Sequence, residues 1–145
     1  MISVKHKIYL AGGITKFGKE NYEAGNKWRD DLISASNTDY FHFINPNSHF
    51  SPMNEGEQES WKEVMLFDLN IVRTSDIIVV NFNDPKSIGT QTELAVAYEL
   101  KKPIIGLNLD SENNDNLHPW QVEMCNRIFH NIEDLAEYLN LHYTL

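Results

Sequence analysis

Glu93 stands in a part of the chain where a carboxylate suits chemistry on a bound ligand. Residues 77–80 form an uninterrupted β-branched run, which is typical of a parallel strand covered on both faces. The turn-forming segment 83–85 follows, and Thr90 then opens a predicted helix with Glu93 in its first turn. The helix dipole favours an ionised carboxylate there by about 0.3–1 kcal/mol. Such a carboxylate can serve as a nucleophile, as a base or as a stabiliser of positive charge.

A structural explanation of Glu93 is compatible with this chemistry. Thr90 can cap the helix while Glu93 completes a capping box, so that one carboxylate oxygen caps and the other faces the cleft. Gly89 is expected to allow a sharp bend or a close backbone approach. Asn81, at the end of the preceding strand, is a candidate for substrate binding, because ligands of open α/β sheets bind beyond the carboxyl ends of strands.

A second carboxylate, Asp68, falls among apolar residues that recur at helical spacing. The predicted helix covers about residues 57–73 and carries Leu69 and Val72 on the same side. An unpaired charge on an apolar face is destabilising, so Asp68 needs either a partner or a function. A salt bridge to Arg73 or a capping role is the structural alternative.

The first predicted strand, residues 7–11, ends in a glycine loop, Gly12-Gly13-Ile14. This loop lacks the G-x-G-x-x-G and G-K-[ST] patterns, so it supports neither a dinucleotide-binding fold nor a P-loop ATPase. A tight turn into the next helix is the alternative explanation of the glycines. The scattered histidines lack the spacing of metal ligands, and we expect neither a metal nor another cofactor.

Composition and charge limit the classes of partner. The chain of 145 residues suits a single domain, 1–145, and its 41% hydrophobic content is ordinary for a globular protein. The net charge of −9 and the lack of a basic run argue against duplex nucleic acid or a membrane as a partner. Cys125 is the single cysteine, so no intrachain disulfide forms. No signal peptide or long apolar span is visible, which predicts a cytoplasmic protein.

Strands and helices are predicted to alternate along the chain, which is typical of a parallel sheet with right-handed crossovers. We expect an α/β, flavodoxin-like three-layer sandwich with five parallel strands in the order 2-1-3-4-5. Its switch point lies between the first and third strands, where the glycine loop and residues 87–93 meet. The predicted strands are 7–11, 40–44, 77–80, 103–107 and 127–129, and the predicted helices are 20–35, 57–73, 90–101, 119–124 and 132–139.

Four segments, in their order and spacing, carry a resemblance to a known family: residues 7–13, 68–76, 87–93 and 97–103. They resemble the nucleoside 2-deoxyribosyltransferases and their relatives, the nucleoside 5′-monophosphate N-glycosidases, over most of the chain. The resemblance implies that Glu93 is the nucleophile that attacks the anomeric carbon of the sugar. It also implies that the Tyr9 hydroxyl lies near this carboxylate and that Asp68 handles the sugar or the proton going to the base. The loop Gly12-Gly13-Ile14 would contact the nucleotide.

Ser87 departs from the pattern of many transferases similar to this chain, which carry an aspartate there. That aspartate suits the 5′-hydroxyl of a free nucleoside and would repel a phosphate, whereas the resembling monophosphate hydrolases tend to have a serine. Ser87 and the backbone amides of Ile88 and Gly89 could receive a phosphate at a helix N-terminus, and Lys16 could add charge. A turn or capping role is the alternative for Ser87.

The resemblance implies an enzyme that cleaves the N-glycosidic bond of a (deoxy)nucleoside 5′-monophosphate and releases the base by hydrolysis. A transferase that exchanges bases on free deoxynucleosides is the alternative within the family, and a non-catalytic nucleotide-binding domain is the alternative outside it. The expected partners are a small nucleoside or nucleotide and a second copy of the chain. Relatives of this kind assemble as homodimers or larger, and the helix 57–73 has apolar residues to spare, including Trp61 and Phe67.

Overall fold

Five strands and five helices alternate in the part of the chain that the computed structural model describes, residues 4–13, 22–46 and 60–144. The strands are β1 (His6–Gly12), β2 (Phe41–Ile44), β3 (Ile77–Asn81), β4 (Ile104–Leu107) and β5 (Arg127–Phe129). The helices are α1 (Tyr22–Ala35), α2 (Trp61–Thr74), α3 (Ile88–Glu99), α4 (Pro119–Met124) and α5 (Ile132–His142). All neighbouring strands are parallel, in the order β2-β1-β3-β4-β5, which confirms the predicted flavodoxin-like sheet.

The sheet separates two apolar layers because the side chains of a strand alternate between its faces. On one face, Leu10 of β1 belongs to a layer with Leu32 of α1. On the other face, Tyr9 of the same strand belongs to a layer with Val72 of α2 and Leu94 of α3. All five residues of β3 are buried, as its β-branched run predicts. The helices that carry the two candidate carboxylates therefore share a face with Tyr9, and α1 covers the opposite face.

The loop that follows β1 and the loop that follows β3 are hydrogen-bonded to each other at the switch point. The register pairs Gly12 of β1 with Asn81 of β3. Beyond this pair, the Asn83 side chain accepts a hydrogen bond from the Gly13 amide at 2.9 Å and donates one to the Gly13 carbonyl at 3.1 Å. A Cβ atom on Gly13 would lie 2.7 Å from the Cβ atom of Asp84, so this close approach requires glycine. These hydrogen bonds hold Gly13 of the glycine loop against the loop that leads into α3.

The predicted N-cap of α3 is wrong. This helix begins at Ile88, and its cap is Ser87, whose Oγ accepts a hydrogen bond from the Thr90 amide at 3.3 Å. The chain has therefore turned into the helix three residues before the predicted cap at Thr90. Glu93 cannot complete a capping box, because it lies in the second turn of α3 rather than in the first.

The start of α2 also differs from the prediction. Its N-cap is Ser60, whose Oγ accepts a hydrogen bond from the Glu63 amide at 3.2 Å, so a start near residue 57 is wrong. The predicted cap of α5, Asn131, is confirmed by the hydrogen bond it accepts from the Asp134 amide. None of the helices in the described ranges is long and apolar enough to cross a membrane.

Candidate active site

Tyr9 and Glu93 meet between β1 and α3. Glu93 falls three residues after Thr90 and four before Ala97, two buried positions of α3, so helical periodicity turns it toward the sheet. Tyr9 is fully buried, and its hydroxyl donates a hydrogen bond to Oε2 of Glu93. This contact leaves Oε1 of the carboxylate for a second interaction.

Asp68 reaches the same face of the sheet from α2. Its side chain is half-buried, and its buried Oδ1 atom has no hydrogen-bond partner in the part of the chain that the structure describes. Neither structural alternative is found, since the described residues contain no ion pair between Asp68 and Arg73 and α2 is capped by Ser60. A negative charge on Asp68 acts on both Tyr9 and Glu93 and raises the pKa of each. The structure therefore brings the three catalytic candidates together, while their roles stay a prediction.

Burial controls the ionisation of this cluster. Burial raises the pKa of Glu93 to about 7, against the opposing effects of the Tyr9 hydrogen bond and the positive charge of Arg29. Burial also raises the pKa of Asp68 to about 6, and it raises the pKa of Tyr9 well above its ordinary value of 10.0. The expectation that the helix dipole holds Glu93 ionised is wrong, because desolvation outweighs a dipole that acts mainly in the first turn.

Arg29 is a residue that the sequence analysis missed. It is fully buried, and its guanidinium donates to the Leu10 carbonyl at 3.3 and 3.2 Å and to the Gly12 carbonyl at 3.4 Å. The guanidinium carbon lies 4.7 Å from the centre of the Trp28 ring. Arg29 precedes Leu32 by three residues, so a charge on the apolar stripe of α1 was the available signal.

The serine and glycine candidates lie at the N-terminus of α3. Ser87 is half-buried, and its Oγ accepts hydrogen bonds from the amide and, at 3.0 Å, from the hydroxyl of Thr90. The predicted capping role is therefore present, and it leaves the hydroxyl proton of Ser87 available to a ligand. Among the described residues, a Cβ atom on Gly89 would meet nothing within 4 Å, so their packing does not require glycine there, contrary to expectation.

Two of the remaining binding candidates, Gly12 and Asn81, lie side by side at the carboxyl ends of β1 and β3. Asn81 is 2% exposed, and its Oδ1 atom has no hydrogen-bond partner among the described residues. A Cβ atom on Gly12 would lie 3.5 Å from the Cβ atom of Asn81 and 3.1 Å from Cζ2 of Trp28. Gly12 therefore makes room for these side chains. Ile14 and Lys16, also proposed from the sequence, lie outside the described residues.

A cleft of about 1180 Å³ lies elsewhere, on the side of α3 that faces away from Glu93. Gln91 and Ala95 line it, and helical geometry places both residues opposite Glu93. Tyr9 and Asp68 do not line this cleft, so its size does not make it the candidate active site. Within the described ranges, no three histidine, cysteine, aspartate or glutamate side chains come together as a metal site would require.

The chain belongs to the nucleoside 2-deoxyribosyltransferase-like family, whose sequence model matches residues 5–111. Members of this family transfer glycosyl groups or cleave glycosidic bonds, so nucleosides or nucleotides are the ligands that the family implies. The matched stretch contains Tyr9, Asp68 and Glu93. A search of curated protein sequences found no match.

Solved structures of related shape support the same fold. A conserved protein of Enterococcus faecalis V583 is 20% identical, with a TM-score of 0.73 over 92% of this chain and 96% of that one. A 2-deoxyribosyltransferase of Bacillus psychrosaccharolyticus is 22% identical, with a TM-score of 0.70 over 91% of each chain. A CMP N-glycosidase of Clostridium botulinum is 19% identical, with a TM-score of 0.61 over 94% of this chain and 98% of that one. At these identities the likeness establishes the fold alone.

Glu93→Gln should reduce the pH dependence of stability. The pKa of Glu93 in the folded state, about 7, exceeds the ordinary value of 4.5, so the folded state holds this proton more tightly than the unfolded state. The stabilisation is fully present below pH 4.5 and is lost as the pH rises through 7, by about 1–3 kcal/mol. Urea unfolding from about pH 4 to about pH 8 measures this loss in wild type and variant. Glu99→Gln, an exposed change on the same helix, should keep the wild-type slope, and the same slope in Glu93→Gln would contradict the raised pKa.

Proposed function

We propose that this chain cleaves the N-glycosidic bond of a (deoxy)nucleoside 5′-monophosphate through Glu93 and releases the base by hydrolysis. The observation that carries the proposal is the hydrogen bond between Tyr9 and Glu93, formed beside Asp68 at the switch point of the sheet. Family membership supports it, because related enzymes transfer glycosyl groups or cleave glycosidic bonds. A structural relative, the CMP N-glycosidase of Clostridium botulinum, is named for this cleavage of a monophosphate.

Two displacement steps account for the reaction. In the first, Oε1 of Glu93 bonds to the anomeric carbon while the C–N bond breaks and its electron pair leaves with the base. The departing base takes up a proton from Asp68 or from water. In the second step, water adds to the same carbon, loses a proton and displaces the Glu93 carboxylate. Attack by a second base in place of water would give transfer. The Tyr9 hydroxyl holds Oε2 and so fixes the direction of Oε1.

The two carboxyl groups must differ in protonation for this chemistry. Glu93 must be ionised to attack, and Asp68 must be protonated if it supplies the proton to the base. Their pKa values, about 7 for Glu93 and about 6 for Asp68, place a proton on Glu93 rather than on Asp68 in the absence of substrate, so binding of substrate must reverse this order. Positive charge that develops on the sugar favours an ionised Glu93 beside it.

The N-terminus of α3 supplies donors for a phosphate. By helix geometry the amides of Ile88 and Gly89 have no acceptor within the helix, whereas the Thr90 amide already donates to Ser87. The Ser87 hydroxyl proton and these two amides converge at the positive end of the helix dipole. The six residues from Ser87 to Glu93 span about 9 Å of helical rise, which leaves room for a pentose between the phosphate and the nucleophile.

The position of Asp84 supports a second candidate function, which is base transfer between free deoxynucleosides. Its Oδ2 atom would lie 3.5 Å from a Cβ atom on Gly13, so a carboxylate stands beside the glycine loop. A carboxylate there can accept a hydrogen bond from a sugar hydroxyl, and at about 4 Å it would oppose each phosphate charge by roughly 1–4 kcal/mol. Asp84 and Ser87 therefore act on the substrate preference in opposite directions.

The single domain, the cytoplasmic location and the homodimer also stay proposals. Trp61 and Phe67 of α2 are 74% and 41% exposed, and apolar side chains of this kind support a contact with a second copy of the chain. A monomer mass in light scattering would contradict the homodimer.

Glu93→Ala should abolish base release while the protein stays folded. Loss of the nucleophile is expected to lower kcat by roughly 10³-fold or more. Chromatographic detection of free base from nucleoside monophosphates and from deoxynucleosides, with and without an acceptor base, measures the effect. Glu99→Ala on the same helix is the matched control and should retain wild-type turnover. Wild-type turnover in folded Glu93→Ala would refute the assignment, and nucleotide binding without turnover in the wild type would favour the non-catalytic binding domain.

Ser87→Asp should shift the substrate preference away from phosphate. Each phosphate charge would then meet a carboxylate at about 4 Å and lose roughly 1–4 kcal/mol, about tenfold or more in kcat/KM, whereas a free nucleoside would lose far less. Asp84→Asn should do the opposite and improve the monophosphate relative to the nucleoside. Both variants and the wild type are compared on one nucleoside and its 5′-monophosphate. Equal losses on both substrates in Ser87→Asp would show that Ser87 contacts no phosphate, and base transfer on free nucleosides would become the leading proposal.

A further inference from the structure

The turn that leads from β3 into α3 carries Asp84 and Ser87, the two side chains that act in opposite directions on the substrate preference. The Ser87 amide donates a hydrogen bond to the Asp84 carbonyl at 3.0 Å and so closes the turn. Inside it, the Lys86 amide donates to Oδ1 of Asp84 at 3.3 Å. The backbone of this turn therefore sets the positions of the Asp84 carboxylate and the Ser87 hydroxyl.

The carbonyl of Pro85, within this turn, accepts two side-chain hydrogen bonds. One comes from Nε2 of Gln91 in α3 at 3.3 Å, and the other comes from Nε2 of Gln121 in α4 at 2.9 Å. Both lone pairs of the carbonyl oxygen are then used. Pro85 and Gln121 also line the cleft described above, so the turn borders open space between α3 and α4. The bond from Gln121 joins the turn to α4 at this cleft.

Gln121 is 5% exposed, and its side-chain amide makes two hydrogen bonds at once. Its Oε1 atom accepts from the His118 amide at 2.7 Å and completes the capping box of α4, while Nε2 donates to Pro85. One partner is a backbone donor and the other a backbone acceptor, which fixes the orientation of the amide. Glutamate would serve the capping box as well as glutamine does. Because an ionised glutamate has no proton to donate, the contact with Pro85 is what requires glutamine.

We propose that Gln121 is a positioning residue for substrate preference, which holds the turn from Asp84 to Ser87 in place from α4. Its catalytic meaning rests on the proposed function, in which Ser87 receives the phosphate. Gln121 acts through the Pro85 carbonyl and not through the Tyr9–Glu93 pair, because the cleft that it lines lies on the side of α3 that faces away from Glu93. Loss of its bond should therefore weaken binding of the phosphate end and leave the chemical step unchanged.

Two variants remove the Gln121 donor from the Pro85 carbonyl. Gln121→Met removes both hydrogen bonds and adds no charge, whereas Gln121→Glu keeps an acceptor for the His118 amide, so an effect that both share comes from the lost donor. In both, KM for a nucleoside 5′-monophosphate should rise about three- to tenfold, as for one lost hydrogen bond, while kcat changes less than about twofold. KM for the matching nucleoside, which has no phosphate, should rise far less. Glu123→Met, an exposed change on α4, is the matched control and should keep both wild-type constants.

Hydrogen exchange in the ligand-free protein tests the same contact without substrate. Exchange of the Ser87 amide should become about three- to tenfold faster in both Gln121 variants, because the bond that closes the turn opens more easily. The Asp134 amide, which donates to the cap of α5 at 2.8 Å, is the internal reference and should keep its rate.

The outcomes separate a positioning role of Gln121 from a merely structural one. An unchanged exchange rate at Ser87 in folded Gln121→Met would overturn the proposal. An equal rise of KM for the monophosphate and the nucleoside, or a loss of kcat at unchanged KM, would overturn it too, since neither favours one substrate. If Gln121→Met does not fold, Gln121→Glu decides by the same two readouts. If exchange at Ser87 becomes faster but the wild type releases no base from either substrate, Gln121 still holds the turn and the proposed function fails.

Discussion

The site depends on the hydrogen bond between the largely buried carboxylate of Glu93 and the fully buried Tyr9. Burial makes ionisation of Glu93 unfavourable, and the Tyr9 hydroxyl partly compensates by donating to one oxygen. Because burial and the Tyr9 hydrogen bond have opposite effects on its pKa, the carboxyl group of Glu93 can change its charge near neutral pH. Such a group suits a reaction in which positive charge appears on the sugar and disappears again, because the electrostatic stabilisation is largest when the charge is present.

The parallel sheet makes this contact possible. β1 and β3 are adjacent, so the loop after β1 and the loop that leads into α3 leave the sheet side by side. Asn83 fastens these two loops through the backbone of Gly13, which fixes α3 relative to β1. The position of Glu93 against Tyr9 therefore follows from strand order and from one side-chain contact between loops. A carboxylate that the fold already directs toward its reaction partner needs less reorientation, which lowers the cost of reaching the transition state.

The fold was predictable because its signals are local and repeat along the chain. β-branched runs, turn residues and alternation with helices were enough to predict the strand order. The start of α3 could not be predicted, because Ser87 and Thr90 are both good caps. The sequence does not show which backbone amide donates to each side-chain oxygen. The meeting of Tyr9 with Glu93 came from a family resemblance, since the spacing of residues 84 positions apart carries no such information. Arg29 was missed although it stands on an apolar stripe, as Asp68 does, where the same reasoning about a buried charge applies.

Covalent trapping tests the central claim, that Glu93 attacks the sugar, most directly. A nucleoside 5′-monophosphate with fluorine at the 2′ position should form the glycosyl ester and hydrolyse slowly, because fluorine disfavours positive charge at the anomeric carbon. Mass spectrometry of the digested protein should then show a fluorinated pentose phosphate on the peptide that contains Glu93. The same adduct on Asp68, or complete base release with no adduct on any residue, would contradict the account.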